Sequence, residues 1–364
     1  MKNTPSPASE PFPVPGAQSP QSDLKAIAKL AGVSITTVHD ALKGKGRVNP
    51  ATRERVRSIA AQIGYRPNRL ARALRTKRSN IIGVLMGSLF SALYEPLVRQ
   101  VEAIARKAGF NALYACSYSD AASERELLDV LLGTGVDGLL FFPGGIHENR
   151  KHYASAFAHT PVVMIDSPAP TPEFDTVAFD NRAAGQLAVK RLVQAGRRNL
   201  GFVVSPVYVF QDWWITERMH GAAQAVAELG LPPLKIFATE RAEDAVMARY
   251  SPASLRQFML TGGTIDGLFA ANDSTAYAAM EELKLSNKRA PIDVSVIGCD
   301  DLMSSSHCVP ALTTLRQPMA QMGEAAIKLL LKKLAAGPLD EADGSDKPQQ
   351  IMIAPRLMER ESVV

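Results

Sequence analysis

The chain has 364 residues, of which 46% are hydrophobic and 21% are charged, and this is the composition of an ordinary globular protein. The length predicts two or three packed units, and no apolar run reaches the roughly 20 residues that cross a bilayer. The three cysteines (Cys116, Cys299 and Cys308) are scattered without metal-ligand spacing. This excludes a disulfide framework and a cysteine-based zinc site, and it suits a reducing compartment.

The first 22 residues are predicted to form a disordered tail. They contain six prolines among small polar residues and no apolar segment of the kind that a secretory signal requires. We therefore expect a cytoplasmic protein.

The formal net charge of +5 is unevenly distributed. Residues 21–80 contain fourteen basic side chains and three acidic ones, so this segment carries about +11 and the rest of the chain about −6. Such a basic segment is typical either of solvated helix faces or of a surface that binds a polyanion. The pattern within the segment favours nucleic acid.

Two short helices are predicted on either side of a tight turn at Gly32-Val33. Leu24, Ile27, Ala28 and Ala31 recur at helical spacing before the turn. After it, Ser34 stands at an N-cap position. Its helix continues to residue 42 and can turn apolar side chains toward the first one. This arrangement predicts a helix-turn-helix.

A third helix is predicted to begin at Asn49-Pro50, which supply an N-cap and a proline at the first helical position, and to end at Gly64. The three helices would share one small core. From periodicity alone, the alternative is a three-helix bundle without a ligand.

Several motifs within the basic segment make the prediction more specific. They are Ile27-Ala28-Lys29-Leu30-Ala31-Gly32-Val33-Ser34, Thr37-Val38, Arg47-Val48-Asn49-Pro50-Ala51-Thr52-Arg53-Glu54-Arg55-Val56 and Gly64-Tyr65-Arg66-Pro67-Asn68. Together they resemble the lactose and galactose repressor family of bacterial transcription regulators.

The resemblance implies a helix-turn-helix domain over 23–66 and a hinge helix with its linker over 67–80. In that family the second helix enters the major groove of operator DNA and the hinge helix enters the minor groove, where Leu74 would act as a wedge between base pairs. Arginines on the hinge would contact phosphates. The DNA-binding residues implied are Ser34, Ile35, Thr36, Thr37, His39, Asp40, Asn68, Arg69, Arg72 and Leu74.

The recognition helix departs from the family pattern at His39-Asp40, where a Ser-Arg pair normally follows Thr-Val. Asp40 cannot bind phosphate or guanine, but its carboxylate can accept a hydrogen bond from cytosine N4, and His39 can donate to a groove edge or to the backbone. Alternatively, Asp40 pairs with Lys43 and orients it. Both hypotheses stand, and they put any familiar operator sequence in doubt.

From Ile81 onward, short apolar strands alternate with helical stretches. Ile81–Met86 and Leu200–Val204 are typical strands, followed by predicted helices over 95–108 and 217–229. Such alternation predicts parallel, doubly wound sheets with right-handed crossovers. We expect two lobes within 81–364, one formed by roughly 81–180 with 301–318 and the other by 181–300 with 319–364.

The family resemblance extends over this region through five further landmarks. They are Val177-Ala178-Phe179-Asp180-Asn181, Arg218 with Gly221, Ala271-Asn272-Asp273, Ser295-Val296-Ile297-Gly298-Cys299-Asp300-Asp301 and Pro310-Ala311-Leu312-Thr313-Thr314. They imply a fold like that of periplasmic sugar-binding proteins, joined to the all-α headpiece and crossed by three strands between its lobes. A small-molecule effector would bind between the lobes, since ligands of such folds sit at the carboxyl ends of strands.

The effector contacts that the resemblance implies combine paired hydrogen-bonding groups with an aromatic cover for a sugar. They are Ser88, Phe90, Tyr94, Asp166, Phe179, Arg218, Asn272 and Asp300. Arg218 and Asp300 are the strongest candidates. Asp180, Asp273 and Asp301 are better interpreted as caps of helices or turns. Trp213 and Trp214 line the cleft or pack the lobe, and the sequence does not choose between these roles.

Other classes of function explain less of the chain. A transport-type sugar-binding protein accounts for the body but not for the basic head, and no phosphate loop, nucleophile elbow or metalloprotease motif supports an enzyme. We expect neither a metal nor a cofactor. The effector is predicted to be a sugar, with a purine as the alternative, and the partners are double-stranded operator DNA and a second copy of the chain. An exposed loop is expected over 337–348.

Overall fold

The computed structural model describes residues 20–44, 46–65, 78–88, 92–118, 120–144, 146–166, 173–204, 213–238, 240–241, 250–251, 253–336 and 347–364. The chain divides into two compact units, Met1–Ser79 and Asn80–Val364, which we call the head and the body.

The described residues of the head form three helices, α1 (Pro20–Ala31), α2 (Ile35–Lys43) and α3 (Pro50–Gln62). The predicted caps are confirmed. The Ser34 side chain accepts a hydrogen bond from the Thr37 amide at 3.1 Å, and Asn49 accepts one from the Ala51 amide at 2.9 Å. Apolar side chains from all three helices form one small core, which consists of Ile27, Ala28, Ala31, Val38, Ala41, Val56 and Ala60. The predicted hinge helix, with Asn68, Arg69, Arg72 and Leu74, lies outside the described residues.

In the body, the residues that the structure describes form two six-stranded sheets and a two-stranded ribbon. The strands are β1 (Ile81–Met86), β2 (Asn111–Cys116), β3 (Gly138–Phe141), β4 (Val162–Ile165), β5 (Asp175–Phe179), β6 (Leu200–Val204), β7 (Lys235–Ala238), β8 (Glu240–Arg241), β9 (Tyr250–Ser251), β10 (Gly267–Ala270), β11 (Ser295–Asp300), β12 (Thr313–Arg316), β13 (Gln350–Ile353) and β14 (Arg356–Met358). The first sheet has the order β13-β5-β4-β3-β1-β2, and the second has the order β14-β12-β11-β10-β6-β7. All pairs within these two sheets are parallel except β12 with β14.

Helices connect and cover the strands, as a doubly wound fold requires. They are α4 (Glu95–Lys107), α5 (Ala121–Gly133), α6 (Ile146–Ala156), α7 (Asn181–Gln194), α8 (Trp213–Glu228), α9 (Ala253–Leu260), α10 (Asp273–Leu285) and α11 (Met319–Ala336). The predicted fold class is thereby confirmed. Each sheet with its helices forms one lobe. The first lobe contains β1–β5 and the second contains β6, β7 and β10–β12.

The predicted division of the C-terminal part between the lobes is wrong. β12 joins the second sheet, whereas α11 packs on β3, β4 and β5 and β13 pairs with β5, so α11 and β13 belong to the first lobe. The chain crosses between lobes after β5, at Gln317-Pro318 and at Ala354-Pro355. The periodicity of a segment predicts that it forms a strand, but it does not predict which strand it pairs with. The segments that cross between the lobes are so short that the sequence does not show which sheet the next strand joins.

Two glycines allow α7 and α8 to pack closely in the second lobe. A β-carbon on Gly185 would lie 2.0 Å from the Arg218 carbonyl oxygen, and one on Gly221 would lie 2.0 Å from the Arg182 carbonyl oxygen. Only glycine permits these backbones to approach so closely. The contact fixes α8, and therefore Arg218, against the first turn of α7.

Candidate effector cleft and DNA-binding surface

Several predicted effector residues lie at the carboxyl ends of strands in the two lobes of the body. Asp166 follows β4 and Phe179 ends β5 in the first lobe, while Asn272 follows β10 and Asp300 ends β11 in the second. Because the carboxyl ends of parallel strands meet at one edge of a sheet, these residues face the cleft between the lobes. Arg218, from α8, lies among them.

Arg218 is 2% exposed and is held on several sides. Its Nε donates to Oδ1 of Asn181 at 2.8 Å, and its Nη1 donates to the Ala271 carbonyl oxygen at 2.5 Å. The guanidinium carbon lies 4.6 Å from the ring centroid of Trp214 and 5.6 Å from that of Phe179. Among the described residues, Nη2 has no hydrogen-bonding partner. Nη2 is therefore the part of the guanidinium that keeps a donor for a further hydrogen bond.

Two carboxyl groups lie close enough to Arg218 to interact with it electrostatically. Burial and the charge of Asp273 raise the pKa of Asp300 to about 7, although Arg218 and a 2.6 Å hydrogen bond from Gln317 act in the opposite direction. Burial also raises the pKa of Asp166, against the effects of Arg218 and the Phe179 amide. The cleft thus holds one positive charge beside two carboxyl groups whose pKa values are raised.

The structure confirms the predicted capping role of Asp180 but not those of Asp273 and Asp301. Asp180 caps α7, since its side chain accepts a hydrogen bond from the Ala183 amide at 2.8 Å. The prediction for Asp273 is wrong, because Asn272 caps α10 by accepting from the Thr275 amide at 2.8 Å. Asp273 instead lies buried, one residue further on.

Asp273 and Asp301 organise the loop after β11. Asp273 accepts hydrogen bonds from the Ser305 and Thr314 hydroxyls and from the Leu302 amide. Asp301 forms ion pairs with Arg316 and Arg360 at 2.6 and 2.5 Å, and is therefore a salt-bridge partner and not a cap. These contacts fix the loop that presents Asp300.

The remaining predicted effector residues have different surroundings. Phe179 is fully buried, and Asn272 uses its side chain as the cap of α10. Tyr94 is half-buried with its ring edge-on to Phe142, at a centroid distance of 5.7 Å, and Ser88 is half-buried after β1. Phe90 lies outside the described residues.

A cavity of about 630 Å³ opens where the chain crosses between the lobes, and Leu93, Gln317 and Met319 contribute to its wall. Of the described residues predicted to bind the effector, Asp300 lines this cavity and Arg218 does not. Gln317 is buried, and its Oε1 atom has no hydrogen-bonding partner in the described part of the chain. Sequence reasoning missed Gln317 and Asn181. Asn181 carries no signal beyond its place next to a cap, and Gln317 is marked only by the following proline.

Helix α2 of the head presents a polar face to solvent. Ile35 is 44% exposed and Thr36 is exposed, while Val38 and Ala41 point into the core. His39 and Asp40 lie on this outer side, with Nδ1 of His39 3.6 Å from Oδ1 of Asp40. Such a face of a second helix can enter a DNA groove.

The described residues form neither a metal-binding cluster nor a membrane-spanning helix. They contain no group of three or more His, Cys, Asp or Glu side chains placed to hold a metal ion. None of their helices combines the length and apolar character needed to span a membrane.

Comparison with known proteins agrees with both units. Residues 23–68 match the model of bacterial regulatory proteins of the lacI family, and residues 189–363 match a periplasmic binding protein-like domain. The HTH-type transcriptional regulator RegA of Clostridium saccharobutylicum is 27% identical over 94% of this chain and 99% of its own length. The HTH-type transcriptional repressor PurR of Aliivibrio salmonicida is 28% identical over 85% of this chain and 92% of its own length.

Solved structures show the same architecture. The lac repressor dimer bound to operator and the anti-inducer ONPF aligns with a TM-score of 0.76 at 23% identity, covering 93% of this chain and 98% of that one. A complex of the transcriptional regulator CelR with cellobiose aligns with a TM-score of 0.64 at 25% identity, covering 93% and 99%.

These findings define a helix-turn-helix DNA-binding protein that carries a periplasmic-binding-protein-like domain. Residues 23–68 carry a helix-turn-helix domain of the lacI family, residues 189–363 carry a periplasmic binding protein-like domain, and most of the chain is similar to HTH-type transcription regulators.

Proposed function

We propose that this chain is a cytoplasmic, homodimeric transcription repressor whose affinity for operator DNA changes when a small molecule binds around Arg218. A sugar is the first choice of effector, and a purine is the alternative. The observation that carries the proposal is the buried Arg218 guanidinium, with Nη2 left to bind a ligand between two carboxyls and two aromatic rings. We assign no catalytic role to the chain.

The chemistry of the cleft supports a hydroxylated ligand. Nη2 of Arg218 can donate to a hydroxyl or ring oxygen, while Asp166 and Asp300 can accept from hydroxyl groups. Rings such as Phe179 and Tyr94 favour a ligand with an apolar face. Cellobiose is the ligand in the CelR complex, which supports a sugar; the PurR relative keeps a purine as the alternative.

The head supplies the DNA-binding part of the proposal. We assign base reading to the outer face of α2, with Ser34, Ile35, Thr36, Thr37, His39 and Asp40, and phosphate contacts to Arg69 and Arg72. Asn68 would cap the hinge helix, and Leu74 would insert into the minor groove. A two-fold operator requires two heads, and the lac repressor structure is a dimer bound to operator, which supports a homodimer here.

The effector is identified by a thermal-shift screen of sugars, sugar phosphates and nucleobases. A ligand at 100 times its dissociation constant stabilises the native state by roughly 2.7 kcal/mol. The matched control is Arg218→Ala, which should remove the stabilisation, beside Arg182→Ala, which should keep it. A compound that stabilises the Arg218→Ala variant as much as the parent binds elsewhere, and this result would overturn the assigned site.

DNA binding is tested with the full chain on a selected operator and on random duplex over a range of salt concentrations. Arg72→Ala should weaken binding to both duplexes and reduce the salt slope by about one, whereas Leu74→Ala should weaken operator binding by about 1 to 3 kcal/mol and leave the slope unchanged. Equal losses on both duplexes for Leu74→Ala would remove the wedge role. An absence of salt-dependent binding would favour the alternative, a sugar-binding protein without a DNA function.

A further inference from the structure

The chain has two tryptophans, and they are adjacent. Trp213 and Trp214 begin α8, and Trp214 precedes Arg218 by four positions. Side chains at positions i and i+4 of a helix lie on the same face, so the sequence places an indole beside the guanidinium. The 4.6 Å distance from the guanidinium carbon to the ring centroid is within the range of a cation–π contact.

Trp214 contacts the Arg218 side chain, whose orientation is also restricted by hydrogen bonds. Hydrogen bonds from Nε to Asn181 and from Nη1 to Ala271 set two edges of the guanidinium, and the indole covers a face. A planar group fixed by two edges and a face has one orientation. That orientation decides where Nη2 points, and Nη2 is the group that we assign to the effector.

Trp213 ties the start of α8 to the opposite lobe. Its indole Nε1 donates to the backbone carbonyl oxygen of Asp166 at 3.2 Å. Asp166 has a φ angle of +52°, a left-handed conformation that aspartate tolerates better than most residues. Its amide donates to the Val177 carbonyl oxygen at 2.9 Å, so the acceptor of the indole bond is held by the first sheet.

We propose that the tandem tryptophans are positioning residues of the effector site. Trp214 orients the Arg218 guanidinium, and Trp213 holds the first turn of α8 in place by bonding to Asp166 across the cleft. The inference rests on the proposed function of the cleft, but the contacts it requires exist without a ligand. It predicts that the pair changes effector recognition without any direct role in DNA binding.

The test uses nuclear magnetic resonance on the full chain, labelled with ¹⁵N at the tryptophan indole and arginine Nε positions. The chain should give two indole signals, which Trp213→Phe and Trp214→Phe assign by deletion. The Trp213 indole proton should exchange with water at least about tenfold more slowly than that of a free indole, because it is hydrogen bonded. If this proton exchanges as fast as that of a free indole, the hydrogen bond between the lobes is wrong.

The second readout is the Arg218 Nε–H signal, assigned with Arg218→Lys. In the parent it should be shifted upfield by the indole ring and protected from exchange. Trp214→Phe keeps an aromatic face and should retain the protection, whereas Trp214→Leu should lose both the shift and the protection. An unchanged Arg218 signal in Trp214→Leu would overturn the positioning role, and denaturant unfolding of each variant shows whether it is folded.

The readouts separate this inference from the proposed function. If the signals behave as expected but no compound in the thermal-shift screen binds, the proposed effector class is wrong and the positioning role stands. If a ligand binds through Arg218 in a Trp214→Leu variant with unchanged affinity, the positioning role is wrong and the proposed function stands.

Discussion

The recognition surface of the head and the cleft of the body present their side chains in opposite ways. On α2, Ile35 is 44% exposed, and His39 and Asp40 have side chains more than a third exposed. In the cleft, Arg218 and Phe179 are at most 2% exposed and contact each other. The residues proposed to face DNA can therefore change without affecting the core of the head, whereas those proposed to face the effector are part of the core of the body.

The largest effect is expected from Arg218→Ala. Its loss leaves the Asn181 and Ala271 oxygens without their donor and two buried carboxyls without a nearby positive charge, so we expect a loss of about 3 to 5 kcal/mol in the free energy of unfolding of the body. Urea unfolding measures it. Operator affinity without effector should be nearly unchanged in molecules that remain folded.

The matched control for that variant is Arg182→Ala. Arg182 pairs with Glu217 at 3.1 Å but its side chain is 51% exposed, so its removal should cost less than about 1 kcal/mol. Equal losses for the two variants would contradict the contrast between a buried and an exposed arginine.

The next effect concerns pH. Because the pKa of Asp300 is raised to about 7 from an ordinary value of 3.8, the folded body holds a proton that the unfolded chain releases. Its stabilising contribution is present in full below about pH 4 and is lost as the pH rises to about 7, by roughly 2 to 4 kcal/mol. Asp300→Asn should flatten this part of the pH profile of unfolding. A variant profile parallel to that of the parent would contradict the assignment.

A smaller effect is expected in the head from Ser34→Ala, which removes the N-cap of α2. The loss should be about 1 kcal/mol, measured as a roughly fivefold faster hydrogen exchange of α2 amides. Thr36→Ala, at an exposed position of the same helix, is the control and should change exchange little. If both variants exchange alike, the cap does not stabilise the helix.

The smallest effect on stability is expected from Asp40→Asn, within about 0.5 kcal/mol, because the carboxylate is partly exposed. Its effect on recognition separates the two hypotheses for Asp40. If the carboxylate reads cytosine, selection from random duplexes should show a changed base at one position in each half-site. If Asp40 only orients Lys43, the selected bases should be the same and only the affinity should differ.

Short-range sequence patterns were sufficient to predict the helix caps of the head and some residues of the cleft. Ser34 and Asn49 act on amides two or three residues away, so their roles are readable from the sequence. The same reasoning chose Asp273 over Asn272 as a cap, because both follow β10 and spacing alone does not separate them. Arg218 was found through a motif, but the contacts that hold it come from other elements.

Features that depend on pairing between distant segments could not be predicted. The lobe assignments of β12 and α11 depend on the sheet that each segment joins or packs against. The hydrophobic pattern of a buried strand is the same in both sheets, so it could not predict these assignments. The bond from Trp213 to Asp166 spans 47 positions and uses a backbone acceptor, which leaves no mark in the sequence.

The central claim is that occupancy of the buried cleft changes DNA binding by the exposed head. The most direct test measures the affinity for a selected operator, by fluorescence anisotropy, with and without a compound that stabilises the chain through Arg218. We predict a change of at least about fivefold, with the reciprocal change in ligand affinity when operator is present. A compound that fills the cleft at saturation and leaves operator affinity unchanged would contradict the account.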